Sequence, residues 1–347
     1  MKKIFIVVLF GLVLTQNTWA GTDEGLAAAQ KNDFVTALAQ FSAAAAKGDA
    51  KACYYLGLMY ANGDGVAQDD KQALSWYDKA AEQGYADAQF ALALMYDSGK
   101  GVPQNYVQAA SWYGKAAEQG YADAQYNLGE MYYEGQGVAQ DYRQAAIWYN
   151  KAALQGNAVA QNNLGTMYYE GRGLAQDYAL AAAWYGKAAQ LGYADAQKNL
   201  GVMYESGQGL SQDLRQAAAW YGKAALQGNA NAQNNLGTLY YDGQGVSQDF
   251  TRAAFWYGKA AAQAYANAQN NMGVMYEEGQ GMSMDLVLAY AYFNLAAVQG
   301  NTKALDNRGR VAQQLDAKQL EEAQQLSSTW KPGMPFPTKS MTWIAKP

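Results

Sequence analysis

The chain has 347 residues, with no histidine and a single cysteine, and its 25 basic and 30 acidic residues give a formal charge of −5. The absence of histidine excludes a histidine triad, a histidine general base and the usual zinc or iron sites. The single cysteine, Cys53, excludes an intramolecular disulfide framework and thiolate cages. No basic cluster is present, which argues against nucleic-acid binding. We therefore predict no catalytic residue, no metal and no cofactor.

Residues 1–20 have the features of a secretory signal peptide. Two lysines precede an apolar run over residues 4–14, and Thr-Trp-Ala at 18–20 resembles a cleavage site. The apolar run is too short to span a bilayer, and no later segment resembles a spanning helix. We expect export through a Sec-type signal, to the periplasm or out of the cell, with no integral membrane segment left after cleavage.

Residues 21–48 are expected to form a short helix pair broken at Asn32 and Asp33, which serves as an N-terminal cap. Residues 49–300 then repeat seven times without insertion or deletion, with a period of 36 residues. One tryptophan position shows the period: Trp76, Trp112, Trp148, Trp184, Trp220 and Trp256. A fixed period of this length is typical of a solenoid, a propeller or another array.

The third unit, residues 121–156, shows what each unit contains. Apolar residues at i, i+4, i+7 and i+8 from Ala124 predict one helix, which a Gly-Gln-Gly break ends. A second helix is expected from Asp141, which forms a capping-box spacing with Gln144, up to a glycine at 156. The sequence thus predicts an all-α, right-handed superhelical solenoid of tandem 36-residue helix–loop–helix repeats.

Residues 301–330 are expected to form two capping helices separated near Leu315 and Asp316. Such caps cover the open end of a solenoid. Residues 331–347 contain four prolines, and those at the start of the segment exclude a helix there. We expect either an extended strap over this cap, which the apolar residues of the tail favour, or a flexible peptide.

The motif A-x-A-Q-x-x-L-G-x-M-Y-x-x-G-x-G-V-x-x-D, followed by A-x-x-W-Y-x-K-A-A-x-Q-G, resembles the Sel-1-like repeat family, a relative of the tetratricopeptide repeats. The resemblance covers about three-quarters of the chain. It implies that the first helix of each unit, helix A, lines a concave face, and that the protein acts as a scaffold for other macromolecules. The second helix of each unit is called helix B.

Features found in every unit are expected to be structural. We interpret the Gly-x-Gly loops as helix connections, because no strand precedes them and they lack a phosphate-loop lysine. The recurring methionines and tryptophans are interpreted as core. The recurring lysine of helix B is expected to cover apolar surface with its stem, with acidic side chains nearby.

Helix-A positions that vary between units are predicted to be exposed and to bind the partner. Together they predict a groove along the repeats that is aromatic toward the N-terminal repeats, rich in amides toward the C-terminal repeats, and acidic at its rim. Such a groove suits a basic protein or peptide segment. The predicted residues are Tyr54, Phe90, Tyr126, Glu130, Tyr133, Glu134, Asn162, Tyr169, Glu170, Lys198, Asn234, Tyr241, Asp242, Asn270 and Glu278.

A second row of helix-A amides leaves two interpretations open. Asparagines recur at 36-residue spacing, and they could bind the main chain of an extended ligand or bond between adjacent repeats. The row comprises Asn127, Asn163, Asn199, Asn235 and Asn271.

The sequence favours a non-enzymatic protein-interaction scaffold of the bacterial envelope or exterior, and it favours a monomer. A carbohydrate- or peptidoglycan-binding protein is the alternative, because tyrosines and amides can also bind sugars. A β-lactam-interacting hydrolase would need Ser328 and Lys331 to act as a serine-x-x-lysine pair. The chain lacks the other motifs of those enzymes and the cysteine pairs of the disulfide-rich relatives linked to β-lactams, so we expect this match to be accidental.

Overall fold

The computed structural model describes residues 20–334, in which there are eighteen α-helices and no strand. The predicted signal peptide, except for its last residue, and the tail after Met334 lie outside the described residues. The described part of the chain contains no helix of the length and hydropathy needed to cross a membrane. It divides into two compact units, one ending at Asp141 and the other beginning at Tyr142.

The first unit consists of seven helices in which each helix packs against the next up to α7. Their bounds are α1 Ala20–Gln30, α2 Phe34–Ala45, α3 Ala50–Asn62, α4 Asp70–Glu82, α5 Ala86–Ser98, α6 Tyr106–Glu118 and α7 Ala122–Glu134.

The second unit consists of eleven helices, in which each helix packs against the next up to α17, and α16 packs against both α17 and α18. Their bounds are α8 Tyr142–Leu154, α9 Ala158–Glu170, α10 Tyr178–Gln190, α11 Ala194–Ser206, α12 Leu214–Leu226, α13 Ala230–Asp242, α14 Phe250–Ala262, α15 Ala266–Glu278, α16 Leu286–Val298, α17 Thr302–Ala312 and α18 Ala317–Thr329. The tandem helix pairs are those of a solenoid.

Helix B begins where an aspartate or asparagine caps it. In α12, the Asp213 carboxylate accepts hydrogen bonds from the backbone N–H groups of Arg215 and Gln216, which have no partner within the helix. Helix A ends at a glycine in the left-handed region, as Gly207 does after α11 with φ 70°. These local signals set the period of the repeat.

Inside a repeat, the two helices approach closely because helix A presents a glycine to a tyrosine of helix B. A Cβ atom on Gly201 would lie 2.6 Å from the ring of Tyr221, and one on Gly57 would lie 2.5 Å from the ring of Tyr77. The recurring methionine of helix A is buried, as Met203 is in the cluster that contains Tyr185. The interpretation of the methionine series as core is confirmed.

The second glycine of each Gly-x-Gly loop lies against the preceding repeat. A Cβ atom on Gly209 would lie 2.2 Å from the carbonyl oxygen of Tyr178, at the start of the previous helix B. Gly245 has the same relation to Leu214, with a distance of 2.3 Å. The loops are therefore helix connections that dock onto the neighbouring repeat.

A recurring glutamine bond joins the two helices of one repeat, and a second bond ties the same glutamine to the repeat before it. Gln197 donates to the carbonyl oxygen of Ala189 at 3.1 Å, and its own Oε1 accepts from Nε2 of Gln227 at 2.8 Å. The same bond joins Gln119 to Gln89, Gln263 to Gln233 and Gln299 to Gln269. The buried helix-A glutamine therefore bonds both to the end of helix B in its own repeat and to the main chain of the preceding repeat.

Five of the six recurring helix-B lysines lie over a tryptophan ring, and the sixth lies over a phenylalanine ring, rather than next to carboxylates. Lys223 Nζ is 3.7 Å from the ring centre of Trp220, and Lys115 Nζ is 3.6 Å from that of Trp112. The lysine stems cover apolar surface as expected, but in those five the partner of the charge is an indole three residues earlier on the same helix. Such cation–π contacts contribute about 0.5–1 kcal/mol at exposed sites.

The last two helices close the second unit through polar contacts. Arg310 of α17 forms a bidentate ion pair with Glu277 of α15, with N–O distances of 2.9 and 2.7 Å. The Asn294 amide of α16 donates to Ser327 of α18. The first residues of the tail continue onto the unit, since the N–H of Gly333 donates to the carbonyl oxygen of Ala262 at 2.8 Å.

Candidate partner-binding surface

The end of helix A provides the most exposed of the predicted binding residues. Glu134, Glu170, Asp242 and Glu278 are the last residues of α7, α9, α13 and α15, and all four are exposed. Each stands just before the glycine that ends its helix, so the backbone geometry of the cap places these carboxylates at the same edge of their repeats.

The expectation that every predicted residue is exposed is wrong for four of them. Tyr54 is 7% exposed, and Asn162, Asn234 and Asn270 are each 8% exposed. All four occupy the position two residues before the shared leucine of helix A, where the next repeat lies over the side chain, as Tyr85 does over Tyr54. The other predicted residues are partly buried: Phe90, Tyr126, Glu130, Tyr133, Tyr169, Lys198 and Tyr241.

In the first unit, the residues at this buried position form aromatic contacts between repeats. The ring of Tyr54 lies 5.3 Å from that of Tyr85, and the ring of Phe90 lies 4.8 Å from that of Tyr121. Burial raises the pKa of Tyr121 to about 12. The aromatic residues predicted to line one end of the groove are therefore largely engaged in packing between repeats.

In the second unit, two tyrosines lie directly before the exposed carboxylates. Tyr169 precedes Glu170 and donates to Gln208 Oε1 at 2.8 Å, and Tyr241 precedes Asp242 and donates to Glu278 at 3.4 Å. The ring of Tyr241 is held edge-on against Phe250, 5.3 Å away. Partly exposed aromatic rings and carboxylates thus share one surface of this unit.

The amide row of helix A bonds between adjacent repeats. Nδ2 of Asn199 donates to Oδ1 of Asn162 at 3.0 Å, and Nδ2 of Asn271 donates to Oδ1 of Asn234 at 3.1 Å. Of the two interpretations left open by the sequence, the inter-repeat bond is therefore observed at these positions. Each amide nevertheless has more donors and lone pairs than one bond uses.

Lys198 occupies the position at which neighbouring repeats have an asparagine. Its ammonium donates to Oδ1 of Asn199, and burial lowers the pKa of Lys198, while the charge of Asp195 opposes the shift. It is a partly buried member of the inter-repeat network and does not extend the acidic surface.

Two carboxylates of helix A that vary between repeats are engaged within the second unit. Glu205 accepts a hydrogen bond from the hydroxyl of Tyr221, and the pKa of Tyr221 is raised, first by burial and then by this carboxylate. Glu277 pairs with Arg310. These two acids bond to other side chains of the second unit, whereas the acids at the helix ends are exposed.

The serine-x-x-lysine match lies outside any such surface. Ser328 is exposed near the end of α18, and its hydroxyl donates to the carbonyl oxygen of Gln325 in the same helix at 3.0 Å. Lys331 follows on the exposed segment after the helix. Among the described residues, no group of three or more histidine, cysteine, aspartate or glutamate side chains could hold a metal ion.

Sequence reasoning missed the glutamine row and the lysine–tryptophan contacts. Both had a signal in the sequence. The glutamines recur thirty residues apart within a repeat, and lysine follows tryptophan by three residues, the spacing of neighbours on one helix face.

Comparison with known proteins places the chain in a family. The family model "Sel1 repeat" matches seven consecutive segments: 50–85, 86–121, 122–157, 158–193, 194–229, 230–265 and 266–301. The comparison with curated proteins gave no match.

Two solved structures are similar over most of the chain. A Sel1 repeat protein from Oxalobacter formigenes is 35% identical, with a TM-score of 0.66 and coverage of 86% of each chain. A protective antigen of uropathogenic Escherichia coli strains, described as displaying an SLR fold, is 31% identical, with a TM-score of 0.56 and coverage of 89% of this chain and 90% of that one. With seven matched repeats and these two relatives, the chain belongs to the Sel1 repeat family.

Proposed function

We propose that the protein is a non-enzymatic scaffold of the bacterial envelope or exterior that binds a basic protein segment along its helix-A surface. Sel1 repeat proteins are in general protein-interaction scaffolds. The observation that carries the proposal is that constant and variable positions of the repeat have different environments. Residues constant between repeats are engaged in packing, whereas the variable ends of helix A leave carboxylates exposed.

The chemistry of this surface suits lysine or arginine side chains. Tyr241, Asp242 and Glu278 combine a partly exposed ring with two exposed carboxylates. A guanidinium or ammonium group can pair with the carboxylate and lie over the ring at the same time. Arg172 of this chain provides an internal example of the ion pair, because its Nε lies 2.9 Å from Glu170.

Crosslinking capture from intact cells tests the proposal. We expect the full chain to capture a specific protein with a basic segment, and a Tyr241→Ala/Asp242→Asn/Glu278→Gln variant to lose it. The matched control is Glu82→Gln/Glu118→Gln, which removes two exposed carboxylates at the ends of helix B. Capture that survives in the helix-A variant, or that is lost equally in the control, would contradict the assignment of the surface.

The first unit offers an independent version of this test. A Tyr126→Ala/Tyr133→Ala/Glu134→Gln variant changes the corresponding variable positions of α7.

Export is tested separately, by sequencing the N-terminus of the protein recovered from the periplasm and from the medium. We expect it to begin near Gly21, and a chain found only in the cytoplasm with its first residues intact would contradict the proposed location.

A further inference from the structure

A polar cavity of about 450 Å³ lies in the second unit, between α15 and the start of α17. Five asparagine side chains line it: Asn234, Asn267, Asn270, Asn271 and Asn301. Three of them belong to the inter-repeat amide row or to the buried helix-A position before it. The cavity therefore adjoins the inter-repeat amide row of helix A.

The sequence explains why the cavity is at this junction. The buried helix-A position and the residue that precedes the next helix A are 31 residues apart, and in Tyr54 and Tyr85 their rings are in contact. Six of the seven pairs contain at least one long side chain: Tyr54 with Tyr85, Phe90 with Tyr121, Tyr126 with Asn157, Asn162 with Tyr193, Lys198 with Asn229, and Asn234 with Tyr265. The last pair is Asn270 with Asn301, and both side chains are short.

Hydrogen bonds hold the lining amides in place. Asn301 donates to Asn267 Oδ1 at 2.9 Å, and Asn307 donates to Asn270 Oδ1 at 3.0 Å. Because a side-chain amide has two donor hydrogens and two acceptor lone pairs, these bonds fix the orientation of the groups and leave capacity for a ligand. A fixed array of donors and acceptors binds a ligand with less loss of side-chain entropy.

The lining selects the chemistry of the ligand. Lys303 is the one charged residue among the lining residues, and it is exposed, so a neutral polar ligand fits better than a strongly ionic one. The lining contains no aromatic ring on which a sugar could stack. A peptide main chain offers the alternating N–H and C=O groups that asparagine amides pair with.

From this geometry we propose that the cavity is a subsite for the main chain of an extended peptide, bound by the amides of Asn267, Asn270 and Asn271. The inference rests on the proposed function, because it assigns one part of the partner segment to one junction. The junction at Asn270 and Asn301 would then bind a ligand where the other six pairs carry at least one long side chain.

Filling the cavity tests the assignment. Asn301→Tyr introduces the residue that Tyr85, Tyr121, Tyr193 and Tyr265 provide at the same position in other repeats. The matched control is Asn229→Tyr, the same change at a junction that Lys198 already occupies. Asn270→Tyr fills the cavity from α15, and the Tyr54–Tyr85 contact shows that such a junction accepts two rings.

The probe is acetyl-Ala-Ala-Ala-amide, titrated into the full chain with asparagine-selective ¹⁵N labelling, and N-acetylglucosamine serves as the sugar comparison. We expect the peptide to shift the side-chain signals of Asn267, Asn270 and Asn271 in the unmodified chain and in Asn229→Tyr. In Asn301→Tyr and Asn270→Tyr the affinity should fall by about tenfold or more. Circular dichroism melting confirms that each variant is folded.

Three results would overturn the proposal: no shift with the peptide, shifts that persist in both filled variants, or shifts with the sugar that equal or exceed those with the peptide. The last result would reassign the cavity to glycan. The capture experiment on the acidic surface separates the scaffold function from this subsite. If the chain captures its partner but does not bind the peptide probe, the scaffold function stands and only the subsite is contradicted.

Discussion

Leu191 stands thirty residues after Gln161, in the position from which Gln227 donates to Gln197 in the next repeat. Leucine cannot donate this bond, and Oε1 of Gln161 is buried without a hydrogen-bond partner. The Gln161 amide still donates to the carbonyl oxygen of Ala153 at 2.9 Å, so only its acceptor is left unsatisfied. One repeat of the second unit therefore lacks a bond that other repeats have.

Leu191→Gln is expected to stabilise the protein by about 1 kcal/mol, because it supplies a donor to a buried acceptor. The measurement is the urea midpoint at constant m-value. Leu226→Gln is the control, since it also replaces an exposed leucine near the end of a helix B but faces no unpartnered glutamine. Equal gains in both variants would show that surface polarity, and not the Gln161 bond, is responsible.

Ala264→Gly should also stabilise the protein, by about 1 kcal/mol. Ala264 has φ 64°, in the left-handed region that costs a residue with a Cβ atom about 1–2 kcal/mol, and glycine occupies the equivalent position of other repeats. The larger entropy of glycine in the unfolded chain offsets part of the gain. The reverse exchange, Gly228→Ala, should destabilise, since Gly228 has φ 92°. Nothing lies within 4 Å of the position of its Cβ, so the loss would come from the backbone conformation alone.

Two glycines of one repeat should respond oppositely to alanine. Gly201→Ala is expected to destabilise by about 1–3 kcal/mol, because its Cβ would overlap the ring of Tyr221. Gly222→Ala in α12 should stabilise by about 0.5–1 kcal/mol, since nothing lies within 4 Å of its Cβ and alanine favours the helix. Thermal or urea unfolding of the pair checks both signs, and a loss of stability in both variants would contradict the packing.

Stability should fall at alkaline pH. Burial raises the pKa of Tyr185 and of Tyr257 to about 12, despite hydrogen bonds to threonine hydroxyls that lower it, whereas tyrosine in an unfolded chain titrates near 10. A folded-state pKa above the unfolded value gives stability that is fully present below about pH 10 and lost as the pH rises through about 12. Urea midpoints across this range should decrease, and Tyr257→Phe should make the decrease shallower. An unchanged slope in Tyr257→Phe would contradict the assignment to buried tyrosine.

The period of 36 residues and the caps within it were enough to predict the helix pairs, because glycine, aspartate and the apolar stripe act through local backbone chemistry. The exposure of Asn162 and Asn234 could not be predicted in the same way. Whether a helix-A side chain is buried depends on how closely the next repeat approaches, and that depends on non-local contacts such as the one between Gly209 and the main chain of Tyr178. The unsatisfied acceptor of Gln161 likewise became visible only when Leu191 was placed beside it.

The docking of the Gly-x-Gly loop has a consequence for how the array changes in length. The second glycine touches the main-chain carbonyl at the start of the preceding helix B, and that residue is Tyr106, Tyr178, Leu214 or Phe250 in different repeats. Since the contact is with backbone, any repeat can follow any other. Duplication or loss of a whole 36-residue segment rebuilds the same joint, whereas a change of any other length breaks it, so the gene can lengthen or shorten the protein only in complete modules.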